Sequence, residues 1–158
     1  MHGSLRHTKR DTEQGNRGLT RVERTLVGEQ KWDLGSVLVV EDDPEVRQLL
    51  DIVMKDVLNL PTTLAVNGRE ALQQVERARP ALVLMDLLMP EMSGLRAARA
   101  LKSNPATRHI PIIGLSGSVP DWLAVAEGCD DYLAKPFDVE TLVEKVKKHL
   151  RPGLRRAA

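Results

Sequence analysis

From Val37 onward the chain alternates short apolar runs with longer stretches whose apolar residues recur every three or four positions. That alternation constrains the fold more than any other feature. The runs Val37 to Val40, Thr62 to Val66, Leu82 to Met85, Ile110 to Leu115 and Tyr132 to Ala134 read as strands. Between them, Val46, Leu49, Leu50, Val53, Met54 and Val57 repeat at helical spacing, as do Ala71, Leu72 and Val75, and later Leu142, Val143, Val146 and Leu150. Each such stripe predicts one core-facing helix surface. Asp43 can cap a helix that begins at Pro44, Asn67 can cap the next, and Pro152-Gly153 would stop the last. Strands alternating with helices imply an α/β fold with a parallel sheet, built here from five βα units.

With 158 residues there is room for one domain with a sizeable core and not for two. The segment Met1 to Ser36 is dominated by charged and small polar residues and is expected to be a disordered arm. The expected domain runs from residue 37 to 151, and residues 152–158 form a short basic tail. The formal charge is +1 and aromatics make up 3%, so no surface built on phosphate neutralisation and base stacking is expected. Cys129 is the only cysteine, which excludes an internal disulfide or a cysteine metal cluster and suits a reducing cytoplasm. No apolar window approaches a membrane span or a signal peptide.

Ligands of open α/β sheets bind outside the carboxyl ends of the strands. Four of the five strands end on a chemically useful group: Glu41-Asp42 after the first, Asp86 after the third, Ser116 after the fourth and Lys135 after the fifth. Three clustered carboxylates repel one another and favour protonation unless a cation joins them, which points to a hard divalent ion such as Mg²⁺. A carboxylate beside Mg²⁺ can attack phosphorus and form an acyl phosphate, and Asp86 is the expected nucleophile. A transferring phosphoryl group needs positioned cations and donors, roles that suit Lys135 and the Ser116 hydroxyl. Plainer readings serve other residues. Asp43 is a helix cap, His2, His7, His109 and His149 are surface histidines, Cys129 is a small core residue, the methionines are core filler, and Arg151, Arg155 and Arg156 are a solvated end.

Val37-Leu38-Val39-Val40-Glu41-Asp42-Asp43-Pro44, Asn67-Gly68, the stretch from Met85-Asp86 through Met89-Pro90 to Ser93-Gly94, Leu115-Ser116-Gly117, and Asp130 to Phe137 with its Lys135-Pro136 occur in this order. In these motifs the chain from Val37 to about Arg151 resembles the receiver domain of two-component response regulators. The resemblance implies a doubly wound (βα)5 fold of flavodoxin-like strand order 2-1-3-4-5. It implies that Asp86 accepts phosphate from a sensor histidine kinase or a histidine phosphotransfer protein. Glu41, Asp42, Asp86 and the backbone carbonyl of Leu88 would hold Mg²⁺. Ser116 and Lys135 would engage the phosphoryl group, Tyr132 would be the aromatic switch position alongside Ser116, and the Lys135-Pro136 bond would be cis.

Two departures stand out. Ser116 and Lys135 are closer in sequence than is usual for the family by about one helical turn, so the fourth helix, around Asp121 to Glu127, is expected to be short. No segment large enough for an output domain accompanies the receiver, so a stand-alone signalling switch is expected, with no enzyme activity beyond its own phosphorylation and dephosphorylation. Leu88 and Ser118 are expected to shape access of hydrolytic water to the acyl phosphate. The alternatives are a phosphate-independent interaction module and an aspartyl-phosphate hydrolase. The hydrolase would usually carry a second Asp where this chain has Leu88.

Overall fold

A computed structural model describes residues 36–150. The expected arm, apart from Ser36, and the expected basic tail lie outside these residues, as does the Pro152-Gly153 stop. In chain order the elements are β1 (Val37–Val40), α1 (Pro44–Ile52), β2 (Thr62–Ala65), α2 (Gly68–Ala78), β3 (Leu82–Asp86), α3 (Gly94–Ser103), β4 (Ile112–Ser116), α4 (Asp121–Ala126), β5 (Asp131–Ala134) and α5 (Val139–His149).

The strands pair in parallel in the order β2-β1-β3-β4-β5, as the resemblance implied. Side chains alternate between the two faces of a strand. One set, including Leu38, Val40, Val83, Met85 and Ile112, packs with Ala71 and Val75 of α2, Ala97, Ala98 and Leu101 of α3, and Ala124 of α4. The other set, including Val37, Val39, Leu82, Leu84, Ile113 and Leu115, is equally buried on the opposite face. Leu50 and Met54 of the first helical segment and Leu142 and Val146 of α5 are buried too.

Helix starts follow the chain's capping chemistry. The Asp43 carboxylate accepts the N–H groups of Glu45 and Val46, with Pro44 opening α1. Asn67 accepts from Glu70, Ser93 from Arg96 and Asp138 from Thr141. Each cap satisfies a donor that the first helical turn leaves open. The fourth helix is short as expected, at 6 residues, and Pro120 at its start offers no side-chain cap.

Three local details differ from expectation. Leu49, counted in the core-facing stripe of α1, is 43% exposed, because that stripe is narrower than its apolar residues suggest. Past Ile52 the helix widens over Val53–Val57, where the Leu58 N–H bonds the Val53 carbonyl five residues back. The fourth strand begins at Ile112 rather than Ile110, since Pro111 has no N–H to give a ladder, although its carbonyl accepts from Val83.

Candidate functional site

The strand order reverses at β1, whose neighbours are β2 on one side and β3 on the other, and the connections that leave β1 and β3 diverge to open a crevice at their carboxyl ends. Glu41 is the first residue beyond β1, its N–H still bonded to the Ala65 carbonyl of β2. Asp86 is the last residue of β3 and Ser116 the last of β4, while Lys135 directly follows β5. Each of these positions is the last residue of a paired strand or the first beyond it, so the sheet fixes their backbones and leaves their side chains at the rim.

Three carboxylates meet there. Glu41, Asp42 and Asp86 each bring an oxygen within 4.8 Å of the others. Asp42 is exposed, whereas Glu41 and Asp86 are 1% and 6% exposed, so two of the three charges are withdrawn from water. The Lys135 ammonium closes the group from the other side. Its Nζ lies 2.8 Å from Glu41 Oε2 and 3.5 Å from Asp86 Oδ2. The Lys135-Pro136 bond is cis.

The other oxygens of Glu41 and Asp86 are held by backbone. Glu41 Oε1 accepts the Asp43 N–H at 3.2 Å, and Asp86 Oδ1 accepts the Leu88 N–H at 3.2 Å. Burial pushes Glu41 up to about 7, assisted by the charge of Asp86 and opposed by the hydrogen bond from Lys135. Burial also raises Asp86 above the ordinary carboxylate range, against the pull of the Leu88 N–H and Lys135. Burial works to lower Lys135, yet its hydrogen bond to Glu41 and the charge of Asp86 outweigh it and hold the ammonium above its usual value. The site therefore carries more negative charge than one lysine stabilises, the condition under which a divalent cation fits. The donor set is all oxygen, which suits Mg²⁺ better than a softer metal.

Ser116 and Tyr132 form a second layer beside the acids. Ser116 is buried, and its Oγ accepts the N–H groups of Ser118 at 3.2 Å and Val119 at 2.9 Å. The hydroxyl thus shapes the turn after β4. Among the described residues it bonds neither Asp86 nor Lys135. The Lys135 N–H instead donates to the Ser116 backbone carbonyl at 2.9 Å. The Tyr132 hydroxyl points inward, with the carbonyls of Ser116 at 2.9 Å and Val119 at 2.7 Å as acceptors. Leu88 projects its side chain into solvent, 50% exposed, directly past Asp86.

Two further participants stand out, one inside the sequence motifs and one with no prominent sequence signal. Gly94 opens α3 so close to β3 that an added Cβ would overlap the Asp86 carbonyl oxygen. Arg47 reaches back from α1, its Nη1 donating to the Glu41 carbonyl at 3.0 Å and lying 3.3 Å from that of Asp42. Gly94 belongs to the Met85 to Gly94 stretch that carries the resemblance, but its close approach to Asp86 is legible only once the loop is known to fold back. An arginine in the first turns of a helix reads as solvated.

The sequence model of the response regulator receiver domain matches residues 37–147. Among curated proteins, the DNA-binding response regulator MtrA of Mycolicibacterium smegmatis is 35% identical over 115 residues, covering 73% of this chain and 50% of that protein. The chain spans about half the length of the MtrA relatives it matches. Among solved structures, the receiver domain of a signal transduction histidine kinase from Syntrophus aciditrophicus is 35% identical with a TM-score of 0.69, covering 78% of this chain and 95% of that one. The receiver domain of a sensor histidine kinase from Pseudomonas aeruginosa, whose active-site cleft coordinates a magnesium ion, is 28% identical with a TM-score of 0.68, covering 73% and 97%. The family match over most of the described residues, the strand order and the acids at the switch point agree: this chain belongs to the response regulator receiver domain family.

Proposed function

We propose that the protein is a phosphoryl-accepting switch of a two-component or phosphorelay system in which Asp86 is the acceptor. The observation that carries this reading is the convergence of Glu41, Asp42 and Asp86, with Lys135 at 2.8 Å from Glu41 and 3.5 Å from Asp86. A free Asp86 oxygen attacks the phosphorus of a phosphohistidine on a kinase or phosphotransfer protein. A phosphorus–oxygen bond forms, the phosphorus–nitrogen bond breaks, and the imidazole leaves with its electron pair and takes a proton.

Glu41, Asp42, Asp86 and the Leu88 carbonyl are the residues that would hold Mg²⁺, as the cleft of the Pseudomonas relative holds a magnesium ion. Bound there, Mg²⁺ supplies positive charge to the phosphoryl oxygens. Lys135 is already positioned to pair with the phosphoryl group, needing only to exchange Glu41 for a phosphoryl oxygen. Ser116 would turn its hydroxyl from the Ser118 and Val119 amides toward the same group. Tyr132 bonds the carbonyls of Ser116 and Val119, so movement of that turn would be felt by its ring.

On this reading the output is a changed affinity for a protein partner, and the chain's only chemistry is gain and loss of its own phosphoryl group. Leu88 in place of a second acid argues against a hydrolase of phosphoesters. The same reading puts the protein in the cytoplasm, where the Cys129 thiol stays reduced. Among the described residues no helix is long and apolar enough to cross a membrane.

Incubation with acetyl phosphate and Mg²⁺, followed by intact-protein mass, tests the proposal. One phosphoryl adduct on the wild type and none on Asp86→Asn supports it. No adduct on the wild type under any Mg²⁺ concentration favours a phosphate-independent interaction module.

A further inference from the structure

The carbonyls of Glu41 and Asp42 stand where the sheet has run out. The last ladder contact on this edge is the Glu41 N–H bonding Ala65, and beyond it the chain turns into α1. The part-buried Glu41 carbonyl and the exposed Asp42 carbonyl are both open to donors. Arg47 provides them. It lies in the second turn of α1, is half-buried, and directs Nη1 at both carbonyls, 3.0 Å from Glu41 and 3.3 Å from Asp42. Its own N–H bonds the Asp43 carbonyl at 2.9 Å. One residue therefore engages three consecutive carbonyls, those of residues 41, 42 and 43.

These are the residues whose side chains do the work at the site. Glu41 and Asp43 are each fixed by a further contact of the side chain, the first to Lys135 and the Asp43 amide, the second to the start of α1. Asp42 differs, since it is exposed and its carboxylate meets the Asp86 carboxyl. Its direction depends on the backbone that carries it, and the Arg47 guanidinium bonds the two carbonyls that flank it. The guanidinium sets its permanent positive charge against the carbonyls of Glu41 and Asp42. A lysine could supply the charge, but its tetrahedral ammonium lacks the fixed, in-plane direction of the Nη1 donor.

We propose that Arg47 is a positioning residue for the cation site: it fixes the 41–43 turn so that the Asp42 carboxylate faces Asp86, and so sets the affinity for Mg²⁺. This inference rests on the reading of the acid cluster as a Mg²⁺ site. Groups that orient metal ligands without touching the ion commonly change affinity by about 10- to 100-fold when removed.

The test is calorimetric titration of Mg²⁺ into the full chain, with no phosphodonor, on wild type, Arg47→Met and Arg47→Lys, alongside thermal unfolding in a chelator. Arg47→Met keeps the apolar stem and removes the donors. It is expected to bind Mg²⁺ about tenfold more weakly or worse. Arg47→Lys should recover only part of that loss if reach and planarity matter as well as charge. Met and wild-type proteins of equal Mg²⁺ affinity, whatever their melting temperatures, overturn the proposal, because a merely structural role lowers stability and leaves the affinity of the folded molecules unchanged. Full recovery by lysine overturns the positioning role in favour of simple charge. Failure of the wild type itself to bind Mg²⁺ removes the underlying metal reading and is recognised separately. Should Arg47→Met fail to fold, Arg47→Gln, which retains donors without the charge, carries the comparison with Arg47→Lys.

Discussion

At the residue scale the site is a balance between one ammonium and three carboxylates. Lys135 spends its closest contact on Glu41 rather than Asp86. It therefore competes with any cation that needs Glu41. Lys135→Ala should tighten Mg²⁺ binding several-fold in a titration while leaving Asp86 able to accept phosphate, and should uncouple acceptance from partner binding. Weaker Mg²⁺ binding in Lys135→Ala would show that the ammonium organises the acids more than it competes for them. Leu88 stands half exposed beside Asp86, where it can shield an acyl phosphate from water. Leu88→Asn should shorten the lifetime of the phosphorylated protein, measured by decay of the adduct mass, and an unchanged lifetime would remove that role. Asp86, Glu41, Asp42 and Lys135 were legible because each closes an apolar run. The Glu41 to Lys135 bond was not, since it joins residues 94 apart in sequence and depends on which strands become neighbours. Arg47 escaped notice for the opposite reason: a charged residue early in a helix has a sufficient solvated explanation until its acceptors are located.

At the scale of elements, the loops after β1, β3, β4 and β5 carry the site, and a close backbone approach fixes the one after β3. Gly94 allows α3 to begin against the Asp86 carbonyl. Gly94→Ala must push the two apart, and overpacking of this kind typically costs about 1–3 kcal/mol. Loss of stability in chemical denaturation should be accompanied by weaker Mg²⁺ binding, whereas a wild-type stability would mean the loop yields freely. The short α4 is tied to its surroundings at its far end. Arg99 of α3 makes a two-pronged contact with Glu127 at 2.6 Å, and Lys102 bonds Asp130 at 2.6 Å and the carbonyls of Arg108 and Ile110. These elements show what patterning can and cannot convey. The shortness of α4 was visible as a missing turn of sequence. The stripe of α3 was not, because alanines carry much of it and Ala97 and Ala98 barely register as apolar periodicity. The widened turn at Val53–Val57 is not legible, since its residues keep ordinary helical spacing and Val53 and Met54 are buried as in a regular helix.

For the molecule as a whole, α5 is fastened to the sheet through Asp131. The carboxylate bonds Lys145 at 2.8 Å and His149 at 2.9 Å. Burial works to raise Asp131, but these partners overcome it and bring the carboxyl down to about 2, from an ordinary 3.8. A depressed carboxylate stabilises the fold above its unfolded value and loses that contribution as acid is added. The linkage amounts to roughly 2 kcal/mol, present above about pH 5 and gone near pH 2. Asp131→Asn should be less stable than wild type at neutral pH, and the two curves of stability against pH should converge below pH 3. Curves that stay parallel would assign the acid sensitivity elsewhere. Strand order and sheet direction were legible from the alternation and the family motifs together, because parallel strands joined by helices leave one handed crossover and few arrangements.

The central claim is that Asp86 becomes an acyl phosphate. It is tested most directly by reducing the acetyl phosphate-treated protein with borohydride and mapping the peptides by mass spectrometry. Borohydride converts an aspartyl phosphate to homoserine and spares an unmodified aspartate. The account predicts homoserine at position 86, dependent on Mg²⁺ and absent from untreated protein. Reduction at another aspartate, or none at 86 when an adduct is present, would contradict it.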